Sequence, residues 1–398
     1  MQVRKRSVFL KVVAGVCCAA FVLFTSRCEA AGGPGDCAGP GPAFRRAMIF
    51  SAMGTDFSTF VGMYDAALDA GCAPDLIFGT SGGAVAAALI AVYPDRDARM
   101  QFLMSAEFHQ LLLSIRVEQS RPLPVIAQSV LWSLRNLGVP PHPPDLFTRP
   151  LASLPAVLPV TGFDVPFPCK PGQPRIIAVA GRLDYADPHR LRPGRKLFTE
   201  TWFTDPCTAA LVSGLPSPIG VRYRRSAVAA DIDVISDQTL LDAARASAAE
   251  AHLFEPVCVA GRWYTGGIID EWPVEAAAVL ASETIVIRQN KLDHLVERVV
   301  AGVFEYGPQE RKKEVDRFPV TFRVDMEDTS AATKEASMWF DIRWVGRDSE
   351  GPECDRTCVL PRPRIVSTVP HEVGEFQRRL RLQYCHGYER ARRAFARG

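Results

Sequence analysis

The 398-residue sequence predicts an α/β fold with a mainly parallel central sheet, on three observations. Short apolar runs too brief for helices recur along the first three quarters of the chain. Segments with apolar residues at helical spacing lie between them. The spacing of the first four elements, strand, helix, strand, helix, is that of a βαβα unit, whose strands must be parallel.

"RRAMIFSAM" contains the run Ala47 to Phe50, a buried strand. From Phe57 the positions Phe57, Phe60, Val61, Tyr64 and Leu68 lie on one helical face, and Gly71 supplies a stop. "PDLIFGT" is the second strand, and Ala84 to Val92 the second helix. In residues 95–170, "FLMSAEFHQLLLSI" and "VIAQSVLWSLRNLG" read as amphipathic helices ahead of a proline-rich stretch. Phe102, Leu103, Leu111, Leu112, Leu113 and Leu131 there supply an apolar mouth, a membrane-facing surface or a helix-pair core. "PRIIAVAGRLD" is a further strand and "LLDAARASAAEAHLF" a helix. "VCVAGRWYTGGIIDEWPVEAAAVL" reads as strand, turn and a helix beginning near Pro273, and "ETIVIRQ" is the last buried strand. Beyond about residue 290 the chain turns charged and reads as helical, largely solvated surface.

The composition, 47% hydrophobic and 23% charged, is that of a globular protein. A formal charge of +2 leaves no electrostatic footprint for nucleic acid. Residues 1–30 carry a basic start, an apolar stretch from Val12 to Phe24 and small residues at Cys28 and Ala30. That is the pattern of a cleaved export signal, with a retained N-terminal membrane anchor as the alternative. Cleavage after Ala30 leaves 41 basic and 43 acidic residues, near neutrality. Residues 31–43 then read as a flexible glycine- and proline-rich lead-in, 44–288 as one α/β domain, and 289–398 as a charged, helical extension. Eight cysteines remain after cleavage: Cys37, Cys72, Cys169, Cys207, Cys258, Cys354, Cys358 and Cys385. An exported chain permits disulfides among them in pairings the sequence does not specify. Cys354 and Cys358 form a small disulfide loop rather than half a zinc site, since no second ligand pair accompanies them. No metal or cofactor is implied.

Gly79-Thr80-Ser81-Gly82-Gly83 fits G-x-S-x-G between a strand and a helix. That chemistry needs small neighbours because the nucleophile stands on a cramped strand-to-helix turn, where helix N–H groups face a developing oxyanion. Ser81 is therefore either a nucleophile or a serine in a tight structural turn. A three-residue triad would draw its base from His109, His142, His189, His252, His294, His371 or His386. His371 and His386 fit the chain order of α/β hydrolases, but neither sits in a short loop at a strand end. "HEVGE" at His371 lacks a zinc protease's second histidine.

Residues 44–95 and 240–285, including "FGTSGGAVAA" and "WYTGGIIDEWPVEAA", resemble the patatin-like phospholipases, with a fainter echo around 174–199. The resemblance implies a three-layer α/β/α fold, lipid acyl hydrolysis and a Ser-Asp dyad that needs no histidine. It makes Ser81 the nucleophile, with Gly79 and Gly83 completing the motif. It places the oxyanion loop at Ser51–Phe57, where Gly54 is the one glycine left and Asp56 replaces a basic residue; Gly82 follows the nucleophile. The dyad's D-G-[GA] turn falls on Thr265-Gly266-Gly267, so a threonine holds the aspartate position. A hydroxyl cannot take a proton at neutral pH. The nearest carboxylates, Asp270 and Glu271, are a substitute base or helix-start stabilisers. The expectation is an exported acyl hydrolase with a degenerate site, acting on lipid or at a membrane surface. Its alternative is an inactive relative that binds lipid or a protein partner.

Overall fold

The computed structural model describes residues 42–117, 146–147, 150–155, 158–185, 196–288, 294–326, 335–338, 340–345 and 362–397. The signal-like leader, Cys37, the helix "VIAQSVLWSLRNLG" with Leu131, His142, His189 and the Cys354–Cys358 loop lie outside them.

The predicted βαβα unit is present: β1 (Phe44–Phe50), α1 (Phe57–Asp69), β2 (Leu76–Thr80) and α2 (Gly82–Val92). The next apolar stretch forms two helices, α3 (Arg96–Leu103) and α4 (Ala106–Leu113). The break falls at Ser105, whose hydroxyl caps α4 through Phe108 N–H and so begins a new helix there. A two-residue ribbon, β3 (Arg116–Val117) with β4 (Ala152–Ser153), precedes β5 (Arg175–Leu183) and β6 (Phe198–Phe203). Short helices α5 (Pro206–Val212) and α6 (Pro218–Arg222) lead to β7 (Val228–Ile235) and α7 (Leu240–Ala248). A hairpin, β8 (Val257–Val259) and β9 (Arg262–Thr265), runs through a 3₁₀ turn (Gly267–Asp270) into α8 (Val274–Leu280) and β10 (Ala281–Arg288). The remainder comprises α9 (His294–Phe304), α10 (Pro308–Arg317), β11 (Phe322–Asp325), a ribbon of β12 (Phe340–Val345) and β13 (Arg362–Ser367), and α11 (Val373–Phe395).

The main sheet runs β11-β10-β1-β2-β5-β6-β7, with the β8–β9 hairpin attached to β5. β11 through β5 are mutually parallel, and β6 and β9 run antiparallel to β5. Successive strand residues point to opposite faces, and both faces are buried. Met48, Phe50, Ile77, Ile176 and Ile285 enter one core with α1, α2, α7 and α11. Ala47, Ile49, Phe78, Ile177 and Val286 enter the other with α8 and α9. Three layers, α/β/α, result.

Two expectations need correction. The sheet does not stop near residue 288, because β11 continues it beside β10. Nor is the C-terminal segment merely solvated surface. Phe376, Leu380, Gln383, Gly387 and Ala391 form a buried stripe on α11 that packs along α1. The helices meet at glycines. A methyl at Gly387 would overlap the Thr59 carbonyl, and one at Gly62 the Tyr384 carbonyl. Around that seam Ser58 donates to Leu380 O at 3.0 Å, and Asp65 binds both Arg99 and the Tyr384 hydroxyl.

Gly387→Ala is expected to destabilise the protein by about 1–3 kcal/mol, since α11 cannot retreat without breaking those bonds. Urea unfolding tests this; an unchanged midpoint refutes the close-contact account.

Candidate active site

β2 ends at Thr80 and α2 begins at Gly82, so the whole change of direction falls on Ser81. Its backbone, at φ +53° and ψ −119°, lies in a region that residues with a Cβ occupy only under strain. Neighbouring glycines make that turn possible. A methyl at Gly79 would come within 2.7 Å of Ala84 Cα; one at Gly82 would overlap the Gly54 carbonyl, and one at Gly83 the Phe50 carbonyl. Two bonds pin the elbow. Ser81 N–H donates to Ser247 Oγ at 2.8 Å, and the Ser247 hydroxyl donates to Val179 O at 2.6 Å. The first N–H groups of α2, Gly82 among them, have no partner within the helix and carry its positive dipole end.

The end of β9 is clamped to the end of α7. Thr265 pairs with Gly181 of β5, its hydroxyl donates to Ala249 O at 3.1 Å, and Gly266 N–H donates to the same oxygen at 2.7 Å. The Thr265 hydroxyl is thus committed as a donor to the end of α7. Gly267 leaves no room for a side chain against Thr80 Cγ2 and Ser247 Oγ. Asp270 is fully buried; its Oδ1 accepts from Trp272 N–H at 3.3 Å and meets Arg311 Nη2 at 3.4 Å. Arg311 also grips Glu275 and the Trp272 carbonyl, and the Tyr306 hydroxyl reaches Ile268 O and Ile269 O. Asp270 therefore anchors the start of α8, and Ser81 is not among its hydrogen-bond partners.

Sequence reasoning passed over Glu250. It is buried, and a side chain at Gly266 would overlap its carboxylate. Neither oxygen closes a hydrogen bond among the described residues, although the Ser81 hydroxyl and Ile268 N–H face it. Burial pushes its pKa up to about 8 against the pull of those two groups. Glu271, also buried, is raised well above the usual range by desolvation and by Glu250 and Asp270. The available signal was a lone acid inside the small-residue run "ASAAEA".

In the Ser51–Phe57 loop, Gly54 takes the left-handed φ of +54° and faces Gly82. The Thr55 hydroxyl is buried with no hydrogen-bond partner among the described residues. Burial raises Asp56 to about 7, and Gln383 of α11 donates to its Oδ1 at 3.0 Å.

Ser81, Gly82, Gly54 and Thr55 form the polar end of a pocket with about 900 Å³ of empty space, counted with its open mouth. The rest is lined mainly by apolar side chains, Val85 and Leu89 of α2, Phe108 and Leu112 of α4, Phe163 and Leu241, together with Arg245 of α7. Leu111 of the predicted apolar mouth also lines it.

Three of the described histidines lie away from the pocket lining. His109 Nε2 bonds Pro370 O at 2.6 Å and its ring stacks on Phe376; His371 is exposed, and His386 sits half-buried on α11. Burial lowers the pKa of His386, helped by Arg393.

A sheet between two helical layers, with a strained serine elbow at the end of an apolar pocket, is an arrangement suited to acyl hydrolysis. Residues 49–278, more than half of the chain, match the family model for patatin-like phospholipases, and the chain belongs to that family. No curated protein matches it.

Ser247→Ala removes the acceptor of Ser81 N–H and the donor to Val179 O, so a loss of about 1–3 kcal/mol in urea unfolding is expected. Loss of the same size from Ser213→Ala, whose exposed hydroxyl bonds only within its own helix end, would show that the elbow has no special dependence on Ser247. Stability also has a pH signature. Glu250 and Glu271 titrate higher when folded than when unfolded, near 4.3. The Glu250 contribution is full below about pH 4 and is lost as pH rises toward about 8, and that of Glu271 falls in the same direction. Unfolding midpoints should fall from about pH 5 to about pH 8; a rise across that window contradicts the buried-acid account.

Proposed function

We propose that this protein is an exported serine acyl hydrolase that cleaves long-chain lipid esters, with Ser81 as nucleophile and without the dyad aspartate of its family. The observation that carries this reading is the juxtaposition of a strained, glycine-supported serine with an apolar pocket. The pocket takes the acyl chain, leaving the ester carbonyl over Ser81. The backbone N–H groups of Gly82 and Gly54 and the Thr55 hydroxyl are the donors for the carbonyl oxygen as it gains negative charge. Asp56 argues the same way, since burial raises its pKa and reduces the charge it would set against an oxyanion.

Export is supported by the leader pattern in residues 1–30 and by a disulfide-bonded Cys72. Among the described residues no helix is long and apolar enough to cross a membrane. The substrate chemistry, a lipid ester, makes a lipid or membrane surface the natural partner.

One observation favours a second reading, a non-catalytic lipid binder: the Thr265 hydroxyl is committed to Ala249 O and no acid holds that position. Purified mature protein should release fatty acid from phosphatidylcholine vesicles, and Ser81→Ala should reduce that release at least about 100-fold. Equal release from both proteins would leave the binding reading standing. Leu112→Trp, which fills the pocket, should cut hydrolysis of a sixteen-carbon ester about tenfold or more while sparing an acetyl ester. Equal losses on both esters would place the acyl chain elsewhere.

A further inference from the structure

Losing the dyad aspartate leaves a chemical gap beside Ser81, and another carboxylate stands next to it. We propose that Glu250 is the general base of this site, taking the Ser81 hydroxyl proton as Oγ attacks the ester carbonyl. The inference rests on the hydrolase reading above.

Four observations carry it. The turn after α7 is registered to the nucleophile, because Ser247, three residues before Glu250, accepts the Ser81 N–H at 2.8 Å. The Glu250 carboxylate lies over Gly266, where any side chain would overlap it, so glycine beside Thr265 makes its room. It has no other work: both oxygens are buried and unpartnered among the described residues. By contrast, buried Asp65 pairs with Arg99, Asp205 caps α5, and Glu200 accepts from Trp202 and Ser217. An orphaned buried acid is expensive to keep, and such groups concentrate where chemistry requires them. Lastly, the Ser81 hydroxyl is one of the two polar groups that face it.

The proton balance closes. The Oγ–carbon bond forms, the carbonyl electron pair moves to oxygen, and the hydroxyl proton passes to Glu250. Collapse breaks the carbon–oxygen bond to the alcohol, which leaves with that proton. Water then attacks the acyl-enzyme, gives its proton to Glu250, and Glu250 returns it to Ser81 Oγ. One ester and one water become one acid and one alcohol.

The charged group beside Glu250 is Glu271, from the segment before α8, with Asp270 and Lys312 behind it. At neutral pH Glu250 is mostly protonated, so the reaction should climb about tenfold per pH unit until the carboxyl ionises near pH 8.

An alkyl fluorophosphonate tests nucleophile activation directly: Oγ bonds to phosphorus, fluoride leaves, and the Ser81 proton goes to the base. Modification followed by mass spectrometry should occur at Ser81 and run at least about 100-fold slower in Glu250→Gln. The pH climb should vanish in that variant. Thermal melting controls for folding, and the neutral isostere should melt no lower than the parent. Equal modification rates, a pH climb that survives in Glu250→Gln, or no modification of the parent protein would each overturn the assignment. Glu250-dependent modification without fatty-acid release from vesicles would sink the hydrolase reading and uphold the base. Vesicle hydrolysis lost in Ser81→Ala but kept in Glu250→Gln would do the reverse.

Discussion

The candidate site hangs from one cramped turn. A serine at φ +53° stands only where its surroundings over-determine the backbone. Three glycines remove the collisions on the β2–α2 side, and Ser247 accepts the buried N–H of Ser81. From that fixed point the other positions follow. Ser247 sets the register of α7, Ala249 O ties α7 to the end of β9, and the tie carries Glu250 to Gly266. Moving the elbow would therefore displace both Ser81 and every group proposed to act with it.

Electrostatics separates the two acids that the region offers. Asp270 and Glu250 are both buried, but Asp270 faces a guanidinium that also holds Glu275 and the Trp272 carbonyl. An acid neutralised by a fixed cation and anchoring a helix start is a poor proton shuttle, because protonating it leaves a buried arginine short of a partner. Glu250 has no cation to lose. Desolvation alone raises its pKa, and protonation relieves that cost. The same burial that makes Glu250 costly to the fold gives it affinity for a serine proton.

How much of this was legible varied with the range of the interaction. The Ser81 elbow was visible because its cause is local, five residues between a strand and a helix. β1, β2, β5 and β10 were visible because both of their faces are apolar. β6 (FTETWF) and β7 (VAADIDVI) were missed. Their acids and threonines interrupt the apolar run, and Glu200 is buried inside β6 only because Ser217 and Trp202 satisfy it. Helix α11 carries its buried stripe among so many arginines that charge hid the periodicity. Glu250 was illegible because its surroundings come from other parts of the chain: Ser81 at the β2–α2 turn, and Gly266, which gives it space.

The C-terminal helix bears on the loop question raised by Ser51–Phe57. A glycine-rich loop gains its shape from backbone freedom, and Ser51–Phe57 holds only Gly54. Its order has another source. Phe57 is buried in the α1-side core with Met53 packed against it, and Asp56 is held by Gln383 of α11, whose amide also donates to Ala336 O. Packing and a long-range hydrogen bond thus fix a loop that glycines would leave free to adopt a conformation. Residues beyond the family match, 49–278, are therefore part of what shapes the site. Gln383 thus ties the segment beside Ser81 to a helix whose own place depends on its close approach to α1 at Gly62 and Gly387.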